Sequence, residues 1–239
     1  MATIVVPSDL RDEVWRANRR LADAGLVTLS FGNASGVDRA TGVLLIKPSG
    51  VPYDELTPGM LVAVALDDGR LVAGDMRPSS DLPTHLALYQ RYPGIGGIVH
   101  THSTEATAWA QAGRPIPAFG TTHADHFRGA VPVSRRLTTD EIDGQYELET
   151  GHVIIETLEA EDLDPLSMPA VLVASHGPFT WGPDATAAVD NAIALEAVAA
   201  MAFRTVTLDP DARPIADALL ERHHRRKHGR GAYYGQGRR

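Results

Sequence analysis

The strand-like segments of this chain are short and apolar, and they do not alternate one for one with helices. Residues 43–46, 61–66 and 70–73 read as strands, and Asp67-Asp68-Gly69 between the last two suits a hairpin turn. Hairpins make antiparallel neighbours, whereas a doubly wound sheet or an eight-stranded barrel needs a helix between successive strands. Further strand candidates are 98–102, 131–133, 153–157 and 171–175. A helix is expected over 9–24, where Leu10, Val14, Ala17 and Leu21 recur at helical spacing before Gly25. Others are expected over 80–92 with Pro83 in the first turn, over 104–112 closed by Gly113, over 184–203 and over 214–228. No repeat or long linker divides the chain, so one domain over 1–239 is expected. Its class is α/β of the α+β type, a central and mostly antiparallel sheet flanked by helices.

Lys+Arg total 22 against 30 Asp+Glu, a net charge of −8, which argues against a nucleic-acid partner. There is no cysteine, so any metal must be held by His, Asp or Glu. Residues 1–9 carry no basic flank and no long apolar run, so no signal peptide is expected. No apolar stretch nears the ~18 residues of a membrane span. A cytoplasmic protein without a membrane partner is the resulting expectation.

The strongest local signal is His100-Thr101-His102 at the end of a candidate strand. Residues two apart on a strand face the same way, so both imidazoles can reach one ion. His176 ends another buried-looking strand, and a third imidazole there would complete a three-His site with one open position. The competing reading is three unrelated polar residues at strand ends; the spacing puts the metal reading ahead. Three loops have the makings of an anion cradle: Phe31-Gly32-Asn33-Ala34-Ser35, Lys47-Pro48-Ser49-Gly50 and Arg77-Pro78-Ser79-Ser80-Asp81. The third opens a helix, whose N-terminal amides favour negative charge, although Ser-Ser-Asp also reads as a cap and Pro-Ser-Gly as a turn. The polar stretch from Gly120 to His126 suits either a general base or a hydrogen-bonded connector. The basic run from Arg222 to His228 reads as a solvated helix face. The Tyr233-Tyr234 pair beyond it reads as a docking anchor or a source of a phenol.

Taken together, these strings resemble the class II aldolase/adducin family. The resemblance is carried by residues 26–33 (Leu-Val-Thr-Leu-Ser-Phe-Gly-Asn) and 46–50 (Ile-Lys-Pro-Ser-Gly). It is carried further by Pro78-Ser79-Ser80-Asp81, Pro83-Thr84-His85, residues 97–102 (Gly-Ile-Val-His-Thr-His) and residues 120–125 (Gly-Thr-Thr-His-Ala-Asp). Residues 175–179 (Ser-His-Gly-Pro-Phe) and 232–236 (Ala-Tyr-Tyr-Gly-Gln) complete it, in order from about Asp9 to Gln236. The resemblance implies a nine-stranded antiparallel sheet between helices. It implies a divalent metal, Zn2+ with Mn2+ and Co2+ as alternatives, on His100, His102 and His176, with Asp81 at or near the fourth position. A phosphate pocket falls on Gly32, Asn33, Lys47, Ser49, Gly50, Ser79 and Ser80. The acid/base pair falls on Asp125 and Tyr234, and Thr121, Glu147 and His223 fall on secondary substrate positions. The implied activity is 4-epimerisation of L-ribulose 5-phosphate by retro-aldol cleavage, in a homotetramer with interfacial sites. One departure is His126, where an aromatic residue is expected beside the base. The alternatives are an aldolase for a deoxyketose 1-phosphate, in which Glu replaces Asp81 as base, and a non-catalytic adducin-like scaffold, which would have lost the histidines.

Overall fold

A computed structural model describes residues 6–228 and residue 232. Its strands are β1 (Asn33–Asp38), β2 (Val43–Ile46), β3 (Val62–Ala65), β4 (Leu71–Ala73), β5 (Gly97–His100), β6 (Ala170–Leu172) and β7 (Pro178–Gly182). They form one sheet in the order β4-β3-β2-β1-β5-β7-β6, and every neighbouring pair is antiparallel. The expected hairpins are therefore present, but the described residues give seven strands rather than nine. The segment 131–133 shows why. Ile116–Val131 and Val133–Leu172 are isolated bridges, and Pro115, Pro117 and Pro132 flank them. Proline has no N–H to donate, so neither ladder extends.

Both faces of the sheet are covered, which explains strands such as Val43-Leu44-Leu45-Ile46 that are apolar without alternation. Leu44 and Ile46 point toward Leu88 and Tyr89 of α2 (Leu82–Arg91) and Val153 and Ile154 of α6 (Tyr146–Ala160). Val43 and Leu45 point the other way, toward α1 (Ser8–Asp23) and the start of α7 (Ala185–Leu208). A third cluster joins α3 (Thr104–Ala112), β6 and the later turns of α7. By length and hydropathy α7 would reach across a membrane, but Ala185, Ala188, Val189 and Ala192 are buried against the sheet, which accounts for its composition. Two short helices, α4 (Thr121–Ala124) and α5 (Thr139–Asp143), and the basic helix α8 (Asp217–His228) complete the described fold.

Residues 153–157, expected as a strand, lie inside α6. The β-branched run suggested strand, but the buried set Thr150, Gly151, Val153, Ile154, Thr157 and Leu158 has helical spacing, and packing on α2 decides the outcome. Gly151 makes that packing close: a Cβ there would sit 2.9 Å from Ala87 Cβ and 3.3 Å from Thr84 Cα. The Thr84 hydroxyl donates to the Glu147 carbonyl at the same crossing. The first turn of α6 is thereby fixed beside the end of the sheet where the polar loops gather.

Candidate metal centre and its cavity

Antiparallel pairing brings distant polar segments to one end of the sheet. β5 ends at His100, whose partner on β1 is Asn33 and on β7 is Phe179. Lys47 follows the last residue of β2 at the same end. The loops after β2 and before α2 are joined by a Pro48–Pro78 bridge, with Ser49 N donating to Arg77 O at 3.0 Å and Ser79 N to Lys47 O at 2.9 Å. Gly32 takes φ +77°, and a Cβ there would meet His100 O at 2.7 Å, so only glycine lets this loop approach β5. All three cradle loops and all three histidines line one cavity of about 350 Å³. Gly32, Lys47, Ser49, Gly50, Ser79, Ser80 and Asp81 all lie in its wall, beside Tyr146 and Glu147. Asn33, just behind, donates to Ser79 Oγ at 3.0 Å and to Asp81 Oδ2 at 2.6 Å.

Within this cavity the ligand atoms of His100, His102 and His176 lie within 4.8 Å of one another. His100 Nε2 and His102 Nε2 are 3.1 Å apart. A tetrahedral ion at ~2.0–2.1 Å from each nitrogen needs separations of about 3.3 Å, so small side-chain adjustments close the triad. His100 Nδ1 lies 3.0 Å from the Pro178 carbonyl, which can only accept, so Nδ1 carries the ring proton and Nε2 is left as a lone-pair donor. Phe179 stacks on the same ring at 4.2 Å, fixing its plane. His176 sits in the tight turn between β6 and β7, next to Ser175 at φ 63°, a left-handed conformation that non-glycine residues rarely adopt. Burial, then the neighbouring His100 and His102, pushes the His176 pKa down to about 3. Burial and His100 lower that of His102 as well. Neutral imidazoles are the form a cation requires. The donor set and its hydrogen bonding fit a divalent metal.

The charged groups around the triad divide by sign. Burial would raise the Asp81 carboxyl, but His100, His85 and His176 together with the Asn33 hydrogen bond outweigh it and hold Asp81 below the usual carboxylate range. Its oxygens are not part of the converging cluster. Lys47 is only 1% exposed, and burial lowers its pKa to about 8. Its ammonium lies 4.8 Å from the centre of the Tyr53 ring.

Asp125, Thr121 and His223 do not line this cavity. The structure brings Asp125 and His223 together elsewhere, between α4 and α8. Asp125 accepts from Arg226 Nε at 2.9 Å and Nη2 at 2.5 Å, and His223 Nδ1 is 3.1 Å away. Burial opposes ionisation of Asp125, but these bonds prevail and its pKa is lowered. His126 lies 2.9 Å from Lys227 Nζ on the same side. Tyr234 lies outside the described residues. Two residues that sequence reasoning missed are Phe179, against His100, and Tyr146, whose hydroxyl lies 3.3 Å from His176 Nδ1. Phe179 stood within a recognised string; nothing local marks Tyr146.

Comparison with known proteins adds an independent finding. The profile of the family described as Class II Aldolase and Adducin N-terminal domain matches residues 12–203. Proteins named L-ribulose-5-phosphate 4-epimerase UlaF from Salmonella paratyphi C (strain RKS4594) and from Salmonella typhi are each 54% identical over 227 residues, 95% of this chain and 98% of theirs. Among solved structures, an L-fuculose 1-phosphate aldolase superposes with a TM-score of 0.76 at 24% identity, over 93% of this chain and 98% of that one. An L-fuculose-1-phosphate aldolase from Thermus thermophilus gives 0.66 at 22%, over 87% and 100%. These two likenesses bear on the fold.

Proposed function

The chain belongs to the class II aldolase and adducin family, and we propose that it interconverts L-ribulose 5-phosphate and D-xylulose 5-phosphate by breaking and remaking the C3–C4 bond. The observation that carries this reading is one cavity lined by both a histidine triad and three polar loops that bear Lys47, Ser49, Ser79 and Ser80. Near-full-length similarity to proteins bearing the epimerase name selects the reaction.

The C4 hydrogen is not adjacent to the C2 ketone, so removing it directly gives no stabilised carbanion. Cleaving C3–C4 does: the C4 hydroxyl loses its proton, C4 becomes the aldehyde of glycolaldehyde phosphate, and the electron pair passes to C3 and the ketone. When bound to His100, His102 and His176, a divalent ion, Zn2+ ahead of Mn2+ or Co2+, supplies Lewis-acid stabilisation of that negative charge. Lys47, Ser49, Ser79 and Ser80, with the backbone at Gly32, Asn33 and Gly50, keep the phosphate anchored while the aldehyde turns its other face. Re-addition inverts C4, and the proton returns from the opposite side. Asp125 and Tyr234 are the two acid/base groups in this reading, with Asp81 beside the triad and Thr121, Glu147 and His223 at secondary positions. Because Asp125 lies outside the cavity of its own chain, the reading places the site at a subunit interface of a homotetramer, completed by Asp125 of a neighbouring copy. It also takes 1–239 as one domain working in the cytoplasm.

The test is to incubate the purified, metal-loaded protein separately with L-ribulose 5-phosphate and with L-fuculose 1-phosphate. Formation of D-xylulose 5-phosphate, lost on chelation and regained with added metal, is expected. Cleavage of the deoxyketose phosphate without epimerisation would assign the chain to the aldolases instead.

A further inference from the structure

Tyr146 opens α6 and lines the cavity beside His176. The reaction outlined above gives it no task. Its hydroxyl lies 3.3 Å from His176 Nδ1, and the two rings are 6.0 Å apart between centroids. Either atom can be the donor in an isolated pair, but a ligating histidine settles the direction. If Nε2 offers its lone pair to an ion, the ring proton sits on Nδ1 and is donated outward. The phenol oxygen is then the acceptor, and a phenol has one proton of its own to give. That proton is not used on His176.

His100 supplies the contrast. Its Nδ1 is held by the Pro178 carbonyl, an acceptor with nothing further to donate. A backbone carbonyl suffices to orient a ligand; a tyrosine in the equivalent place orients the ligand and keeps a donor in the cavity. The donor is also well held. The Thr150 hydroxyl bonds the Tyr146 carbonyl at 2.8 Å, and the close crossing at Gly151 fixes the first turn of α6 against α2. We propose that Tyr146 touches the substrate: its oxygen accepts from His176 Nδ1–H while its O–H donates to a sugar oxygen beside the metal. This rests on the site being a ketopentose phosphate site and adds a same-chain donor to it, distinct from the groups carried by α4 and the tail.

The experiment is Tyr146→Phe, which keeps the ring and removes only the oxygen. Metal affinity is read by competition with a chromogenic chelator, and kcat/KM for L-ribulose 5-phosphate is read at saturating metal. Loss of a partner to a ligating histidine lowers metal affinity by about ten- to a hundred-fold. Loss of the substrate contact lowers kcat/KM by about two- to ten-fold with the metal site full. Both losses together are expected. Weaker metal binding with kcat/KM fully restored by excess metal would reduce Tyr146 to an orienting residue and overturn the proposal, as would unchanged metal affinity. An inactive wild type would strike the functional reading instead, and the chelator titration would still decide whether Tyr146 accepts from His176.

Discussion

In the proposed reaction Lys47 holds the substrate phosphate, and its burial in the cavity wall would make that anchor titratable in an accessible pH range. Burial disfavours the ammonium form, which lowers its pKa from 10.5 to about 8. If only the ammonium form holds the phosphate, kcat/KM is divided by 1 + 10^(pH − pKa). That factor is about 1.1 at pH 7 and about 11 at pH 9, so kcat/KM should fall about ten-fold across the interval. The sugar phosphate contributes nothing to this bend, because a phosphate monoester has a second pKa of about 6 and is already a dianion. A charge-assisted hydrogen bond contributes roughly 1.5–3 kcal/mol, or about ten- to a hundred-fold, so the interaction is strong enough to carry the full factor. The assay is kcat/KM for L-ribulose 5-phosphate at half-unit pH steps from 7 to 9, for wild type and Lys47→Met. The wild type should bend downward near pH 8. The variant should lack that bend and start at least about ten-fold lower at pH 7. A flat wild-type profile, or a bend that survives in Lys47→Met, would refute the assignment of Lys47 to the phosphate.

Two further outcomes follow from packing and placement. Gly151→Ala should lower the chemical denaturation midpoint, because its Cβ would sit 2.9 Å from Ala87 Cβ and overpacking of about 1–3 kcal/mol, less a helix-propensity gain of about 1 kcal/mol, leaves a net cost of up to about 2 kcal/mol; a raised midpoint would show that α2 and α6 give way. His102→Ala and Asp125→Asn should each be inactive, yet refolding them as a mixture should restore about a quarter of wild-type activity, since a quarter of randomly assembled interfaces carry both native groups. Absence of rescue in properly mixed assemblies would remove the proposed completion of each site by a neighbouring copy and place Asp125 in the site of its own chain.

How much of this could be read in the residues depended on where the deciding force lay. Helix α1 and strand β2 carry their own periodicity or apolar run, and α3 ends at Gly113, which takes φ 62° as a C-terminal glycine should. Strand β1 was hidden because Asn-Ala-Ser-Gly-Val-Asp has little apolar character; its burial comes from β2 and β5 on either side. Strand β7 was hidden because it opens with Pro178 inside the recognised string 175–179 and continues through only three further residues after Phe179, too short a run to stand out. The histidine cluster was legible because an i, i+2 pair on extended backbone stays together even though β5 ends at His100, one residue short of the expected alternation, and the three polar loops because they are short local strings that the sheet gathers into one cavity wall. Tyr146 was not legible, since its approach to His176 depends on α6 docking through Gly151. Nor was the pairing of Asp125 with Arg226, which spans 101 residues.

In the proposed reaction C4 inverts through the C3–C4 bond and never through the C4–H bond. Epimerisation in D2O separates the two routes, with the hydrogen at C4 of recovered D-xylulose 5-phosphate read by NMR. Carbon–carbon cleavage leaves the original hydrogen on the aldehyde carbon throughout, so product formed within the first turnovers should carry protium at C4. Deuterium at C4 in step with turnover would mean that the C4–H bond breaks, and the metal-and-anchor account of this site would be wrong.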